Sequence, residues 1–124
     1  MTQLSAERNT MELGAPRRVL VAGAQIYAGA MVAVKAADGL AYPASNTTGI
    51  VVVGRAEHSV SSGGSVVVRS GIFCYDNNAD EITAKEIGTT CYVADDQTVT
   101  KTANNAEAGT VYAVDGDGVW VKID

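Results

Sequence analysis

Residues 110–123 read TVYAVDGDGVWVKI, and this stretch decides the fold class. Two apolar runs flank the four turn residues DGDG at positions 115–118, a pattern that is typical of a β-hairpin. In the second run a branched aliphatic residue stands at every other position from Val119 to Ile123, with Trp120 and Lys122 between them. Because side chains alternate across a strand, one face of this hairpin is predicted to be buried.

The same β pattern extends over most of the chain. Seventeen Val and eleven Thr stand against four Leu, and β-branched side chains favour strands over helices. The exception is Thr83–Glu86, which has the spacing of a capping box and predicts one helical turn near 83–87. The run Ile50–Val53 is continuously apolar, as in a strand covered on both faces. Strands are predicted at 18–22, 25–27, 31–36, 40–43, 50–53, 65–69, 72–75, 90–94, 98–101, 110–114 and 119–123.

Residues 1–16 differ in composition from the rest of the chain. They are polar, contain no Val and close with Gly14 and Pro16. We therefore expect two parts, an N-terminal arm at 1–16 and one β domain at 17–124. The predicted fold class is mostly β, a small single-domain β-barrel or β-tulip-like sandwich with one short helical turn. The arm either extends onto a neighbouring molecule or is a tail without a role.

Charge and hydropathy exclude several classes of partner. The net charge is -5 and is unevenly divided, since residues 1–62 carry a net +1 and residues 63–124 a net -6. Without a basic face to collect phosphates, we expect no nucleic-acid partner. No apolar run approaches the roughly 20 residues of a membrane span, and no secretory signal is visible. We therefore expect no membrane partner and synthesis in a cytosol.

Few residues are candidates for metal binding. Asp76–Asp80 places oxygen-bearing side chains at alternate positions, as a calcium loop does, but Glu81 and Ile87 stand where that loop needs Gly and Glu. A polar turn is the favoured interpretation of this segment. Asp115 and Asp117 are likewise explained by the hairpin turn. We expect no metal site and no cofactor.

Two cysteines and the single histidine are the remaining candidates for catalysis. Cys74 and Cys91 lie in separate predicted strands without the spacing of a redox or zinc motif, so both are interpreted as buried free thiols. A thiol hydrolase would need Cys91 within hydrogen-bond reach of His58, and this alternative stays open at the level of sequence. We expect no catalytic site.

Several short motifs follow one another in a defined order over residues 17–124. They are Gly29-Ala30-x-Val32-x-Val34, Gly39-x-Ala41-x-Pro43-Ala44, Val53-Gly54-x-Ala56-Glu57, Val66-x-Val68-x-x-Gly71-Ile72-Phe73, Ile87-Gly88-x-x-Cys91-Tyr92-Val93-x-Asp95-x-x-Thr98-Val99, and Gly109-Thr110-Val111 followed by Asp117-Gly118-Val119-Trp120-Val121. In this order and spacing they resemble the small decoration, or cement, proteins of tailed-bacteriophage heads. The arm matches no pattern of this kind.

The resemblance implies a non-enzymatic structural protein that binds the outer surface of an icosahedral phage capsid. Its partners would be the major capsid protein and further copies of itself, as a homo-oligomer with a trimer favoured over a dimer. It would cement neighbouring capsid subunits and stabilise the expanded head against the pressure of packaged DNA. It would lie on the outside of the virion, after a stage in the host cytoplasm during assembly.

The arm and the first strand are the predicted partner-binding region. Apolar residues are spaced along the arm and basic residues begin the first strand, so this region could order on the capsid or on a sister subunit by adding a strand to an exposed edge. The alternative function is a phage tail-fibre or adhesin-type β binding module. The predicted binding residues are Leu4, Arg8, Met11, Leu13, Pro16, Arg17 and Arg18.

Overall fold

The computed structural model describes Ala6 and residues 16–124. These residues form a small, mostly β domain, which confirms the predicted fold class. Within them no helix has the length or the apolar character to cross a membrane. Two 3-10 turns lie at Asn78–Asp80 and Ala84–Glu86. The strands are β1 (Arg17–Val21), β2 (Met31–Lys35), β3 (Ala41–Pro43), β4 (Ile50–Ala56), β5 (Ser65–Arg69), β6 (Gly71–Asn77), β7 (Thr90–Asp95), β8 (Thr98–Thr100), β9 (Glu107–Asp115) and β10 (Gly118–Ile123).

The first half of the domain is a five-stranded sheet in the order β1-β5-β4-β2-β3. A parallel bridge between Ala22 and Ala41 joins the end of β1 to β3, so the sheet curls almost into a barrel. Alternate residues of its strands point inward and form a core of small and branched side chains. This core contains Ala22, Ile26, Ala30, Val32, Ala41, Val53, Ala56, Val66 and Val68.

The second half is a closed barrel with the strand order β10-β6-β8-β7-β9. β9 and β10 form the hairpin predicted from residues 110–123, and a two-residue turn at 116–117 joins them. The alternation predicted for the last strand is confirmed, since its inward residues are at most 3% exposed. These inward residues are Val119, Val121 and Ile123.

The core of the barrel extends onto the first sheet, which also keeps the separate core described above. The outer face of β2 and β4 packs on the barrel, where Met31 and Ala33 are fully buried. The Met31 N–H donates to the Asp96 carbonyl oxygen at 2.8 Å, which links β2 to the β7–β8 turn. The Arg55 guanidinium lies 4.5 Å from the centre of the Phe73 ring. These contacts join the two halves into a single domain.

Of two predictions made for short segments, the structure confirms one and contradicts the other. The helical turn predicted near 83–87 is present, because Thr83 Oγ1 accepts from the Lys85 N–H and the Glu86 carboxylate accepts from the Thr83 N–H, as in a capping box. The strand predicted at 25–27 is wrong. A bend at 23–24 and a turn at 28–29 leave room only for an isolated bridge at Ile26.

The prediction that Ile50–Val53 is covered on both faces is also wrong. Val51 is 64% exposed, whereas Ile50 and Val52 pack against the barrel core. β5 pairs with β4 only at Arg55 and Ala56, so Val51 has a neighbouring strand on one side alone, where β2 pairs with it. The apolar run therefore predicted the strand correctly, but it did not predict that the face carrying Val51 is exposed to solvent.

Candidate interaction surface at β1

β1 is an edge strand. Among the described residues, Arg17–Val21 pair only with β5. Both ends of the strand are bonded on the β5 side, since the Pro16 carbonyl accepts from the Ser70 N–H at 3.0 Å and the Ala22 N–H donates to the Gly64 carbonyl at 2.9 Å. Because hydrogen bonding alternates along an antiparallel strand, the odd-numbered residues of β1 direct their N–H and C=O groups away from β5. The groups of Arg17 and Val19 line the open edge, whereas β3 covers its end, where the Gly23 N–H donates to the Ala41 carbonyl at 2.8 Å.

The open edge of β1 is protected only at its two ends, by the charges of Arg17 and Arg18 at its start and by the Ala22–Ala41 bridge beyond Val21. Edge strands are commonly short, charged, interrupted by proline or covered, because an open edge pairs readily with another chain. The edge strand β3 follows this rule, since it has three residues and ends in Pro43. In β1, by contrast, the apolar side chains of Val19 and Val21 are 69% and 47% exposed. β1 is therefore the edge that is available to a partner.

Three arginines lie side by side on the strands next to this edge. Arg69 of β5 is directly opposite Arg17 of β1 and Arg55 of β4. Residues in register share a face, and like charges in such positions repel one another. Glu57 pairs with Arg55 at 2.9 Å and with Arg69 at 3.2 Å. Among the described residues this one carboxylate pairs with two of the three arginines, so the row keeps an excess of positive charge.

A β-bulge and a glycine position these arginines. In the pairing of β2 with β4, Val53 is an extra residue without a partner opposite. Its carbonyl oxygen accepts from Arg18 Nη1 at 3.2 Å, which holds that guanidinium at the end of the sheet. At Gly54 φ is +153°, and a Cβ atom there would lie 2.3 Å from the Arg69 carbonyl oxygen. Glycine therefore lets β5 approach β4 closely enough to place Arg69 beside Arg55.

The structure brings together part of the predicted binding region. Pro16, Arg17 and Arg18 lie at the start of β1, with Arg17 on the outer face and Arg18 directed to the bulge in β4. The other predicted residues lie outside the described part of the chain; they are Leu4, Arg8, Met11 and Leu13.

Sequence reasoning did not assign Arg55 and Arg69 to this region. Both are distant from Arg17 along the chain, and only the strand order brings the three together.

Comparisons with protein-family models, with curated proteins and with solved structures found no match to this chain. Its function is therefore argued from the β1 region together with the resemblance in sequence.

The cysteines and the histidine do not form a catalytic pair. Cys91 is fully buried in β7, where its thiol donates to the Gly109 carbonyl at 3.6 Å and burial raises its pKa to about 11. His58 lies beside the first sheet, where its Nε2 accepts from the Val67 N–H at 3.1 Å. Both cysteines are free, as predicted. Cys74 is half-buried rather than buried, because it lies on the outer face of β6.

The acidic segments considered for metal binding form turns. The Asn77 amide both donates to the Ile82 carbonyl and accepts from the Ile82 N–H, at 2.7 and 3.0 Å. The Asp115 carboxylate accepts from the Asp117 N–H and from Trp120 Nε1, both at 2.9 Å. In the part of the chain that the structure describes, no three His, Cys, Asp or Glu side chains are grouped to hold a metal ion.

Proposed function

We propose that this protein is a non-enzymatic structural protein of a tailed-phage virion. It binds the outer surface of an icosahedral capsid, cements neighbouring subunits of the major capsid protein as a homo-oligomer, and stabilises the expanded head against internal DNA pressure. The resemblance in sequence over residues 17–124 supports this proposal. The structural observation that most supports the proposal is the open edge of β1, the strand that directly follows the arm.

The open edge provides a mode of binding. An extended segment of a capsid subunit that aligns with β1 would bond to the free N–H and C=O groups of its open edge. The arm enters β1 at Pro16, so the arm and the edge belong to one binding region. Arg17 beside the edge favours a segment that carries carboxylates.

Binding at this surface would stabilise the assembled shell. A ligand that binds the assembled shell but not the separated subunits stabilises it by about 2.7 kcal/mol per site when its free concentration is about a hundredfold above Kd. A molecule that contacts two subunits gains further affinity, because its second contact is intramolecular.

Co-sedimentation with purified capsids tests the proposal. We expect saturable binding of the full chain to expanded capsids but not to unexpanded procapsids, and weaker binding after removal of residues 1–16. Equal binding to both shells would contradict a role after expansion. Binding to neither shell would overturn the proposal and favour the tail-fibre or adhesin alternative.

A substitution at Val19 tests the edge itself. Val19→Pro removes an N–H that points away from β5, so the β1–β5 hydrogen bonds remain intact. We expect about a tenfold loss of affinity for expanded capsids, as for one lost backbone hydrogen bond. Val19→Thr is the matched control, because it keeps the N–H, and it should bind more tightly than Val19→Pro. Equal affinities for the two variants, both shown to be folded by circular dichroism, would exclude strand addition at β1.

A further inference from the structure

Two exposed faces of the domain are apolar at the centre and carry charges of opposite sign. The first lies on β1 and β5, where the odd-numbered residues of both strands point outward. Val19 and Val21 are exposed, Val67 is half-buried, and arginines stand at one end. We call this surface the basic face and define it as Arg17, Val19, Val21, Val67 and Arg69.

The second face lies on the outside of the barrel, on β6, β10 and β9. Cys74 is directly opposite Trp120, and Ile72 is 41% exposed on the same side of β6. A bulge in β9 turns Tyr112 outward, where it is 59% exposed. We call this surface the acidic face; its apolar part is Ile72, Cys74, Tyr112 and Trp120, and its acidic border is Asp76, Asp115 and Asp117.

The carboxylates of the acidic face lie together at one end of it, beside the β9–β10 turn. The pKa of the Cys74 thiol is raised, first by burial and then by the negative charges of Asp115, Asp117 and Asp76. Asp76, Asp115 and Asp117 line one open depression beside the β9–β10 turn, so the three carboxylates lie near one another. The only nearby cation on these strands, Lys122, is opposite Ile72 and faces Asp124 at 4.0 Å. The end of the face near the hairpin turn is therefore negative.

We infer that the basic face of one copy of this chain docks on the acidic face of the next copy. The two faces are complementary in charge, and both place exposed aliphatic or aromatic side chains where an interface would exclude water. Both faces are exposed in the single chain, so neither covers the other within one molecule. A contact between two different faces is heterologous, and such contacts close into a ring when the rotation between copies allows it.

The inference deepens the oligomeric part of the proposed function, but it is tested without capsids. Sedimentation velocity of the purified full chain at low and high salt is the first measurement. We expect an oligomer that dissociates as salt rises, because the interfacial charges are screened. A chain that stays monomeric at every concentration and salt tested would overturn the inference.

Charge reversal identifies the faces. Arg17→Glu with Arg69→Glu alters the basic face, and Asp76→Lys with Asp117→Lys alters the acidic face. We expect each double variant to associate about a hundredfold more weakly, since repulsive contacts replace attractive ones. Lys85→Glu with Lys101→Glu is the matched control, because it changes the net charge as much as the first variant but lies on neither face.

Mixing the two face variants gives the decisive result. In a mixture, the altered basic face of the first variant, now negative, can meet the altered acidic face of the second, now positive. The native acidic face of the first variant can likewise meet the native basic face of the second. We expect association to return in the equimolar mixture although neither variant associates alone. Because only unlike variants can join, the products should be alternating pairs or even-numbered assemblies, and a three-membered ring should not close. An oligomer that persists in either variant, or a mixture that stays monomeric, would refute the assignment of the faces. Co-sedimentation with capsids remains a separate measurement, so its failure would bear on capsid binding alone.

Discussion

Replacing Tyr75 with phenylalanine should make the protein more stable. Tyr75 is 5% exposed in the barrel core, and its hydroxyl oxygen has no hydrogen-bond partner among the described residues. Burial also raises the pKa of this phenol, so the hydroxyl stays protonated at any ordinary pH. A buried hydroxyl without a partner costs about 1–3 kcal/mol relative to its hydrated state in the unfolded chain.

The expected gain follows from two opposing terms. Tyr75→Phe removes the desolvation cost of the hydroxyl but leaves a void no larger than a methyl group, which costs about 1 kcal/mol. The free energy of unfolding should therefore rise by about 1 kcal/mol, and Tm by about 4 °C for a domain of this size. Urea unfolding followed by the fluorescence of Trp120, the single tryptophan, measures the change.

A matched control separates the buried hydroxyl from tyrosine chemistry in general. Tyr27 is 67% exposed, and Tyr27→Phe should change the free energy of unfolding by less than about 0.5 kcal/mol. If Tyr75→Phe instead lowers stability by about 1 kcal/mol at an unchanged m-value, the reasoning is refuted. The hydroxyl would then have a hydrogen-bond partner in solution, such as a buried water.

Two further predictions concern the thiols and one carboxylate. Cys91 is buried, and burial raises the pKa of its thiol to about 11. A thiol reagent should therefore modify only Cys74 in the native protein and both cysteines in denaturant. Modification of the two thiols at equal rates in the native protein would contradict this. The Tyr42 hydroxyl donates to Asp38 at 2.6 Å and lowers the pKa of that carboxyl. Tyr42→Phe should raise the Asp38 pKa in an NMR titration. It should also lower stability near neutral pH, with the difference vanishing as the pH falls through the folded-state pKa of Asp38.

The parts of the fold that the sequence predicted depend on residues close together in the chain. The β9–β10 hairpin follows from its turn residues and from the alternation between Val119 and Ile123. The capping box follows from the three-residue spacing of Thr83 and Glu86. In both cases the interaction partners lie within one turn or one hairpin, so local chemistry is sufficient.

Features that depend on the order of strands could not be predicted in this way. The apolar run that contains Val51 indicates a strand, but the burial of each face depends on which element packs against it. Glycine is needed at position 54 because a Cβ atom there would collide with the Arg69 carbonyl, and nothing near Gly54 in the sequence indicates that approach. Strand alternation assigns residues to faces, whereas strand order decides which faces meet.

The arginine row shows how this limit affects the candidate surface. A net charge of +1 over residues 1–62 suggests an almost neutral half, yet the register places Arg17, Arg69 and Arg55 together. Among the described residues Glu57 is the one carboxylate in this row, and it pairs only with Arg55 and Arg69. Like charges in cross-strand register destabilise the isolated sheet, and a partner that brings carboxylates to the row offsets that cost. Partner binding should therefore protect amides of β1 and β5 from hydrogen exchange more than those of β7 and β8, which carry no such excess of charge. Equal protection of both pairs would mean that the row is not where a partner binds.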